Sequence, residues 1–157
     1  MLGKIIKIEE IFNLETANVG RLTGSNGSSL GMSQLIHAMA GCGEYDGYLV
    51  ETDEHKYHVL ISNTQDCCES WGYFSSEDDV AQFVGARLKE VNLTDVALNK
   101  KKIEDSGYYE EEGGIQFVDF VTDRGTLQLA VYNAHNGYYG HGIIVAKDAE
   151  ILLGDTL

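Results

Sequence analysis

Two segments far apart in the sequence concentrate side chains that can bind a metal ion. Residues 65–73 read QDCCESWGY, and residues 132–141 read YNAHNGYYGH. Two thiolates and two imidazoles form the ligand set of many closed tetrahedral zinc sites. The four candidate ligands are Cys67, Cys68, His135 and His141. If the fold brings the two segments together, we expect them to hold a structural zinc ion.

Adjacent cysteines are a less usual ligand pair than CxxC, because successive side chains of an extended backbone point apart. A tight turn at Cys67 and Cys68 is needed for both thiolates to face one metal. The alternative interpretation is a pair of buried thiols beside polar turn residues, since free cysteine is among the most buried residue types. Asp66 and Glu69 are reserve ligands. With only three protein ligands and a water, one of these carboxylates can instead serve as the general base of a metal-dependent hydrolase.

The remaining cysteine and two further histidines give weaker signals. No local cysteine-protease signature surrounds Cys42, so we expect a structural thiol. His55 and His58 lie three positions apart in a predicted hairpin and face opposite sides of a strand. They are expected to be surface or partly buried histidines without a shared function.

The net charge of the chain is the second feature that indicates what it binds. The chain has 157 residues, of which 25 are acidic and 11 are Lys or Arg, and its formal net charge is −14. Affinity for nucleic acid comes from clustered Lys and Arg, and the single basic run here is Lys100–Lys102. The composition therefore argues against direct nucleic-acid binding and favours a basic protein surface as partner. The alternative is that the acidic balance only keeps the protein in solution.

Two acidic runs and several aromatic residues are the candidate partner-binding residues. The first run follows the tryptophan segment, and the second lies in a charged stretch near residue 110. The acidic candidates are Glu77, Asp78, Asp79, Glu110, Glu111 and Glu112. The aromatic candidates are Trp71, Tyr138 and Tyr139, residue types that are enriched at protein interfaces. The same aromatic residues can also serve as packing.

The sequence favours a cytoplasmic protein. No run of about 18 apolar residues occurs, and residues 1–7 alternate apolar and charged side chains instead of forming the apolar region of a signal peptide. Three cysteines, two of them adjacent, do not form a disulfide framework. We therefore expect reduced thiols.

The hydrophobic periodicity is mostly that of β-strands. Alternating or β-rich runs are separated by short polar turns, and residues 115–132 read as a hairpin with a turn at Asp123-Arg124-Gly125. This order places both metal-binding segments immediately after strands. The predicted strands span residues 4–11, 46–52, 56–62, 87–93, 115–122, 126–132, 142–146 and 150–153.

Helices and loops are expected to be few. A short helix is predicted over Ser33–Ala40, and a second follows a WGYF turn, where residues 75–79 supply capping and acidic side chains. Residues 20–31 and 99–114 are predicted to be flexible loops. The pattern predicts one α+β domain over residues 1–157, built on a mainly antiparallel, curved sheet with one or two short helices.

The segment QDCCESWGY, together with the later NGYY, resembles a family of small uncharacterised phage and prophage domains. These domains carry a QDCCE motif at one strand end and an NGYY motif on a later hairpin, and the similarity runs from about Tyr48 to Ile144. Family members often have a histidine two positions before the glutamine, where this chain has Asn63. His135 and His141, which flank NGYY, can take its place as ligands. The resemblance implies a phage or prophage setting and no activity.

In size, acidity and candidate metal site, the chain is also similar to phage-encoded anti-CRISPR proteins that inhibit the Cas9 effector. Cas9 holds its heteroduplex in a positively charged channel that an acidic protein can engage. This resemblance implies an inhibitor, not an enzyme, that binds a basic surface of Cas9 in the bacterial cytoplasm and interferes with DNA binding or cleavage.

Overall fold

The computed structural model describes residues 2–15, 44–63, 70–106, 108, 112–135, 141–148 and 150–157. Within these ranges the chain is mainly β-strand, with one 3₁₀ helix at Val80–Phe83 and one α-helix, α1, at Lys100–Ser106. The strands are β1 (Ile5–Glu15), β2 (Glu44–Thr52), β3 (Lys56–Ser62), β4 (Ser70–Ser75), β5 (Leu88–Thr94), β6 (Glu112–Thr122), β7 (Gly125–His135), β8 (Gly142–Lys147) and β9 (Glu150–Thr156).

The strands form two antiparallel sheets. One sheet has five strands in the order β1-β2-β3-β8-β9, and the other has four strands in the order β4-β7-β6-β5. Every pairing between neighbouring strands is antiparallel. The mainly antiparallel β architecture is thus confirmed, although the strands divide between two sheets and contribute more of the fold than the helices do.

The core lies between the two sheets and follows the two-residue period of the strands. Tyr57, Val59 and Ile61 of β3 pack in one cluster with Leu127 and Leu129 of β7, and all five side chains are buried. Their neighbours along each strand point to the opposite face of the same sheet. Burying a large apolar side chain contributes roughly 1.5–3 kcal/mol, so this alternation is what holds the sheets together.

The central strands of the five-stranded sheet are buried on both faces. Tyr45, Leu60 and Ile144, which face away from the other sheet, form a second buried cluster. A strand covered on both sides is a near-continuous apolar run, and β3 reads KYHVLIS for this reason. The fully buried His58 belongs to this face, which corrects its prediction as a surface or partly buried residue.

Burial of His58 predicts a pH dependence of stability. Neither ring nitrogen of His58 has a hydrogen-bond partner, and burial, reinforced by Lys56 and opposed by Asp148, lowers its pKa from 6.5 to about 4. Between these values the unfolded chain binds a proton that the folded chain does not. The free energy of unfolding is therefore expected to fall by about 2 kcal/mol between pH 7 and pH 5.

Urea unfolding of the wild type and of His58→Leu at both pH values tests this expectation. The variant should lose this part of the pH dependence. At pH 7 it should be at least as stable as the wild type, because an apolar side chain replaces two unpartnered polar atoms. An unchanged difference between pH 7 and pH 5 in the variant would assign the effect to other groups.

Hydrogen bonds join the two sheets at one end of the sandwich. Lys4, just before β1, forms an isolated antiparallel bridge with Arg87, just before β5. Next to this bridge the Ile5 amide donates to the Ala86 carbonyl at 2.9 Å, and the Leu88 amide donates to the Gly3 carbonyl at 2.9 Å. The beginnings of β1 and β5 are therefore fixed relative to each other.

Two segments that were predicted to be a turn and a loop form regular secondary structure. The WGYF segment, predicted as a turn, belongs to β4 and pairs with β7 along its whole length. Residues 99–114, predicted as a flexible loop, contain α1 and the beginning of β6. The predicted loop over residues 20–31 and the predicted helix Ser33–Ala40 lie outside the described residues.

A buried glutamine explains why the segment before α1 is ordered. Gln128 on β7 donates from its amide to the Val96 carbonyl at 2.9 Å and to the Asp119 carboxylate at 2.8 Å, and its oxygen accepts from the Leu98 amide at 2.8 Å. Tyr132 on the same face donates its hydroxyl to the Ser106 carbonyl at the end of α1. These tertiary contacts order a segment whose own sequence is charged and has little apolar surface.

Candidate functional site

The described parts of the two segments with predicted metal ligands lie side by side in the four-stranded sheet. In the register of β4 with β7, Ser70 lies opposite Ala134 and Trp71 lies opposite Asn133. The first described residue after segment 64–69 is therefore beside the residue that precedes His135. This pairing is antiparallel and joins positions more than sixty residues apart in sequence.

His141 is the one predicted zinc ligand whose side chain is described. It lies immediately before β8 and is 1% exposed. Its backbone pairs with Leu157 through two hydrogen bonds of 2.9 Å, one in each direction. Its ring stacks on the Trp71 ring with a centroid separation of 5.5 Å and an angle of 29° between the planes. The imidazole thus joins the five-stranded sheet to β4 of the other sheet.

The hydrogen bond of His141 determines its tautomer. Nδ1 lies 2.8 Å from the Ser62 carbonyl oxygen, which can only accept, so Nδ1 carries the proton and donates. In a neutral ring the lone pair is then on Nε2. Zinc-binding histidines commonly have this arrangement, in which a carbonyl holds one ring nitrogen and orients the other toward the metal.

The residues that contact His141 lie on both sides of the QDCCE segment. Ser62 ends β3 just before it, and Trp71 is near the start of β4 just after it. Residues close to both ends of the undescribed segment 64–69 therefore contact the imidazole. The side chains of the other predicted ligands Cys67, Cys68 and His135, and of the reserve ligands Asp66 and Glu69, lie outside the described residues.

Among the residues that the structure describes, no three His, Cys, Asp or Glu side chains gather as a metal site. A metal at this junction needs ligands from segment 64–69 or from His135. The sequence did not predict that Ser62 and Trp71 contact His141. Their positions were a usable indication, because these residues lie at the strand ends on either side of the two cysteines.

Asn133 is a further buried polar residue at this junction. It is completely buried on β7, and its amide nitrogen donates to the Leu157 carbonyl oxygen at 3.1 Å. Because that same carbonyl accepts from the His141 amide, Asn133 links the end of the chain, the histidine and the four-stranded sheet. These bonds fix the backbone of His141, while Ser62 and Trp71 contact its ring.

The first acidic run follows β4, and its three members play different structural roles. All three side chains are exposed. Asp79 caps the 3₁₀ helix by accepting from the Ala81 amide at 3.1 Å. Asp78 pairs with Lys102 of α1, and this hydrogen bond and charge lower the pKa of Asp78. Glu77 makes no side-chain hydrogen bond or ion pair with the described residues, so no described side chain balances its negative charge.

The remaining partner-binding candidates are only partly described. Trp71 is half-buried, packs against the core and stacks on His141, so its described contacts are within the fold. Glu112 begins β6, although its side chain lies outside the described residues. Glu110, Glu111, Tyr138 and Tyr139 also lie outside them. In the part of the chain that is described, no helix is long and apolar enough to cross a membrane.

Comparison with known proteins gives one family and one relative. Residues 1–145 match the model of a family described as Domain of unknown function (DUF7448). An uncharacterised protein of Acanthamoeba polyphaga mimivirus is 26% identical over 88 residues, which cover 55% of this chain and 66% of the relative. The match thus spans about two thirds of the relative's length. No solved structure gives a significant match.

Proposed function

The chain belongs to the DUF7448 family, a domain of unknown function, and we propose that it is an acidic binding protein that occupies a basic surface of another protein. A zinc ion held by Cys67, Cys68, His135 and His141 fastens the junction of its two sheets. In this proposal the chain is a single domain that acts without an enzymatic activity in the cytoplasm of a bacterial host.

The observation that supports binding to a basic partner is the excess of exposed carboxylates. Among the described residues, fourteen acidic side chains are exposed but only seven lysines and arginines are exposed, in keeping with the net charge of −14 for the whole chain. Such a surface attracts a positively charged partner over a Debye length of about 8 Å at physiological ionic strength. It repels nucleic acid.

The setting of His141 favours a structural metal over a catalytic one. A hydrolytic zinc keeps one coordination position open to water and substrate, whereas a structural zinc is closed by four protein ligands. The ring of His141 is buried, and Trp71 covers one of its faces. With the thiolates and His135, the chain supplies the four ligands of a closed site, and the metal acts as a cross-link.

Charge reversal at Glu77 is expected to weaken binding to the basic partner. Glu77→Lys should lower the association rate about tenfold at low salt, and the effect should shrink as salt rises, because exposed charges are screened. Glu150→Lys is the matched control, since Glu150 is an exposed residue of β9 and the change in net charge is the same. Surface plasmon resonance over a salt series measures both variants.

The two reversals separate a local acidic patch from the overall charge. Slower association for Glu77→Lys alone supports the patch, whereas equal slowing by both assigns the effect to net charge. The combined reversal of Glu110, Glu111 and Glu112 tests the second acidic run in the same way. Asp78→Lys is a poorer reporter, because it also breaks the contact with Lys102 of α1.

Cas9 is the partner to test first, since it has a positively charged nucleic-acid channel. Purified protein is mixed with Cas9, with and without guide RNA, and the mixtures are examined for a complex and then for binding of target DNA. We expect a complex and reduced DNA binding. If no complex forms in either state at low salt, the anti-CRISPR assignment is wrong, and the acidic binding role requires a different basic partner.

A further inference from the structure

A cleft that differs in charge from the rest of the surface lies beside the bridge between Lys4 and Arg87, at the beginnings of β1 and β5. The cavity has a volume of about 370 Å³, within the range of small-molecule sites. Three of its lining residues are basic, Lys4, Arg87 and Lys89. Two lining residues, Asp53 and Glu54, are acidic, so the three bases give the cleft a small excess of positive charge in a chain whose net charge is −14.

None of these three cations is in an ion pair with a described carboxylate. Lys4, Arg87 and Lys89 are exposed, and their side chains form no ion pair and no hydrogen bond with the described residues. The other described ion pairs, such as Lys56 with Glu51, show that bases elsewhere on this surface do find carboxylates. Three like charges around one cleft repel each other, so an anion bound between them gains from all three.

The backbone that carries two of these cations is held rigidly. Lys4 and Asp53 exchange two hydrogen bonds, from the Lys4 amide to the Asp53 carboxylate at 2.8 Å and from the Asp53 amide to the Lys4 carbonyl at 3.0 Å. Arg87 and Asp123 exchange the equivalent pair at 2.9 and 3.1 Å. Both aspartates bind backbone atoms, which leaves the ammonium and guanidinium groups available to a ligand.

The other lining residues restrict the kind of anion. Leu2 and Leu88 provide apolar walls, which suit a ligand with a carbon skeleton. Asp53 and Glu54 place carboxylates at the cleft, which repel a bare anion but accept hydrogen bonds from hydroxyl or amino groups. A guanidinium beside two ammonium groups suits the geometry and charge of phosphate.

From these lining residues we infer that the cleft between the beginnings of β1 and β5 binds a small phosphate ester that also carries hydroxyl or amino groups, such as a nucleoside monophosphate. The phosphate lies among Lys4, Arg87 and Lys89, and the hydrogen-bond donors of the ligand face Asp53 and Glu54. This site is separate from the proposed zinc site at His141 and from the acidic run at residues 77–79.

The test is isothermal titration calorimetry of the whole chain with AMP, adenosine and inorganic phosphate. AMP is expected to bind saturably and more tightly than either adenosine or phosphate. Arg87→Gln should weaken AMP binding at least about tenfold, because charge-assisted hydrogen bonds are lost. Lys101→Gln is the matched control, since Lys101 is an exposed base on α1 away from the cleft, and it should leave AMP binding unchanged.

Three results would overturn the inference. The first is no binding of AMP at millimolar concentration. The second is binding of phosphate as tight as that of AMP, which indicates a simple anion site. The third is equal weakening of AMP binding by Arg87→Gln and Lys101→Gln, which indicates an effect of net charge. Because Arg87 is exposed, its substitution should not impair folding, and a thermal melt of each variant checks this. The acidic binding role stands or falls separately, since its test uses Glu77 and a protein partner.

Discussion

Replacing His141 with Ala is expected to abolish stoichiometric zinc binding and to lower the melting temperature by about 10 °C or more. Structural zinc contributes about 10–16 kcal/mol of apparent binding free energy in small folds, and part of this is folding free energy. Losing one of four ligands removes several kcal/mol of it, and each kcal/mol corresponds to roughly 2–4 °C for a chain of this size. Elemental analysis of protein purified without added metal, followed by thermal unfolding, measures both effects.

His141 also packs on Trp71 and bonds to Ser62, so loss of stability alone does not establish a metal. A chelator separates the two contributions: it should lower the melting temperature of the wild type and leave that of His141→Ala unchanged. His55→Ala is the matched control and should retain zinc.

The other predicted ligands provide an independent test of the same site. Cys67→Ser, Cys68→Ser and His135→Ala should each lose zinc as His141→Ala does. If all four variants keep both metal and melting temperature, the metal is bound at a different site.

The strands were predictable because their signals are local. β2, β3, β6 and β7 alternate apolar and polar residues or form short apolar runs next to recognisable turns, and the structure has strands at all four places. How these strands divide between two sheets was not predictable in the same way. The pairing of β3 with β8 joins residues more than eighty positions apart, and no local pattern specifies it.

The two wrong predictions of secondary structure have the same physical origin, which is tertiary contact overriding local sequence. The segment around Trp71 and Gly72 resembles a turn, yet it is a strand because β7 supplies its hydrogen-bond partners. Residues 100–106 have one large apolar residue, Ile103, and little reason to form a helix alone. Lys102 paired with Asp78 and Ser106 bonded by Tyr132 fix that helix against the sheet.

The candidate site was predictable in residue type but not in arrangement. The cysteines and histidines stand out in the sequence, whereas the stacking of His141 on Trp71 and its bond to Ser62 depend on how the sheets meet. The acidic run shows the same limit. The three carboxylates Glu77, Asp78 and Asp79 form one run in the sequence, but Asp78 is paired, Asp79 caps a helix, and Glu77 has no such contact with the described residues. The basic cleft was missed because Lys4 and Arg87 become neighbours only through a bridge between sheets.

Gly47→Ala is expected to destabilise the fold by about 4 kcal/mol or more, an effect large enough to prevent folding of a marginally stable protein. Gly47 lies within β2 and has a φ of 152°, a conformation that L side chains rarely adopt. A Cβ at this position would lie 2.0 Å from the Val59 carbonyl oxygen of β3. Backbone in the middle of a central strand cannot move aside without breaking its ladder of hydrogen bonds.

Gly114→Ala is the matched control for this prediction. Gly114 is also a strand glycine, in β6, but an added Cβ would meet only the end of the flexible Leu157 side chain, at 3.3 Å. Urea unfolding of both variants gives the comparison through the midpoint and the m-value. We expect Gly114→Ala to unfold within about 1 kcal/mol of the wild type. If Gly47→Ala does the same, β2 and β3 are not packed as the register of Gly47 opposite Leu60 requires.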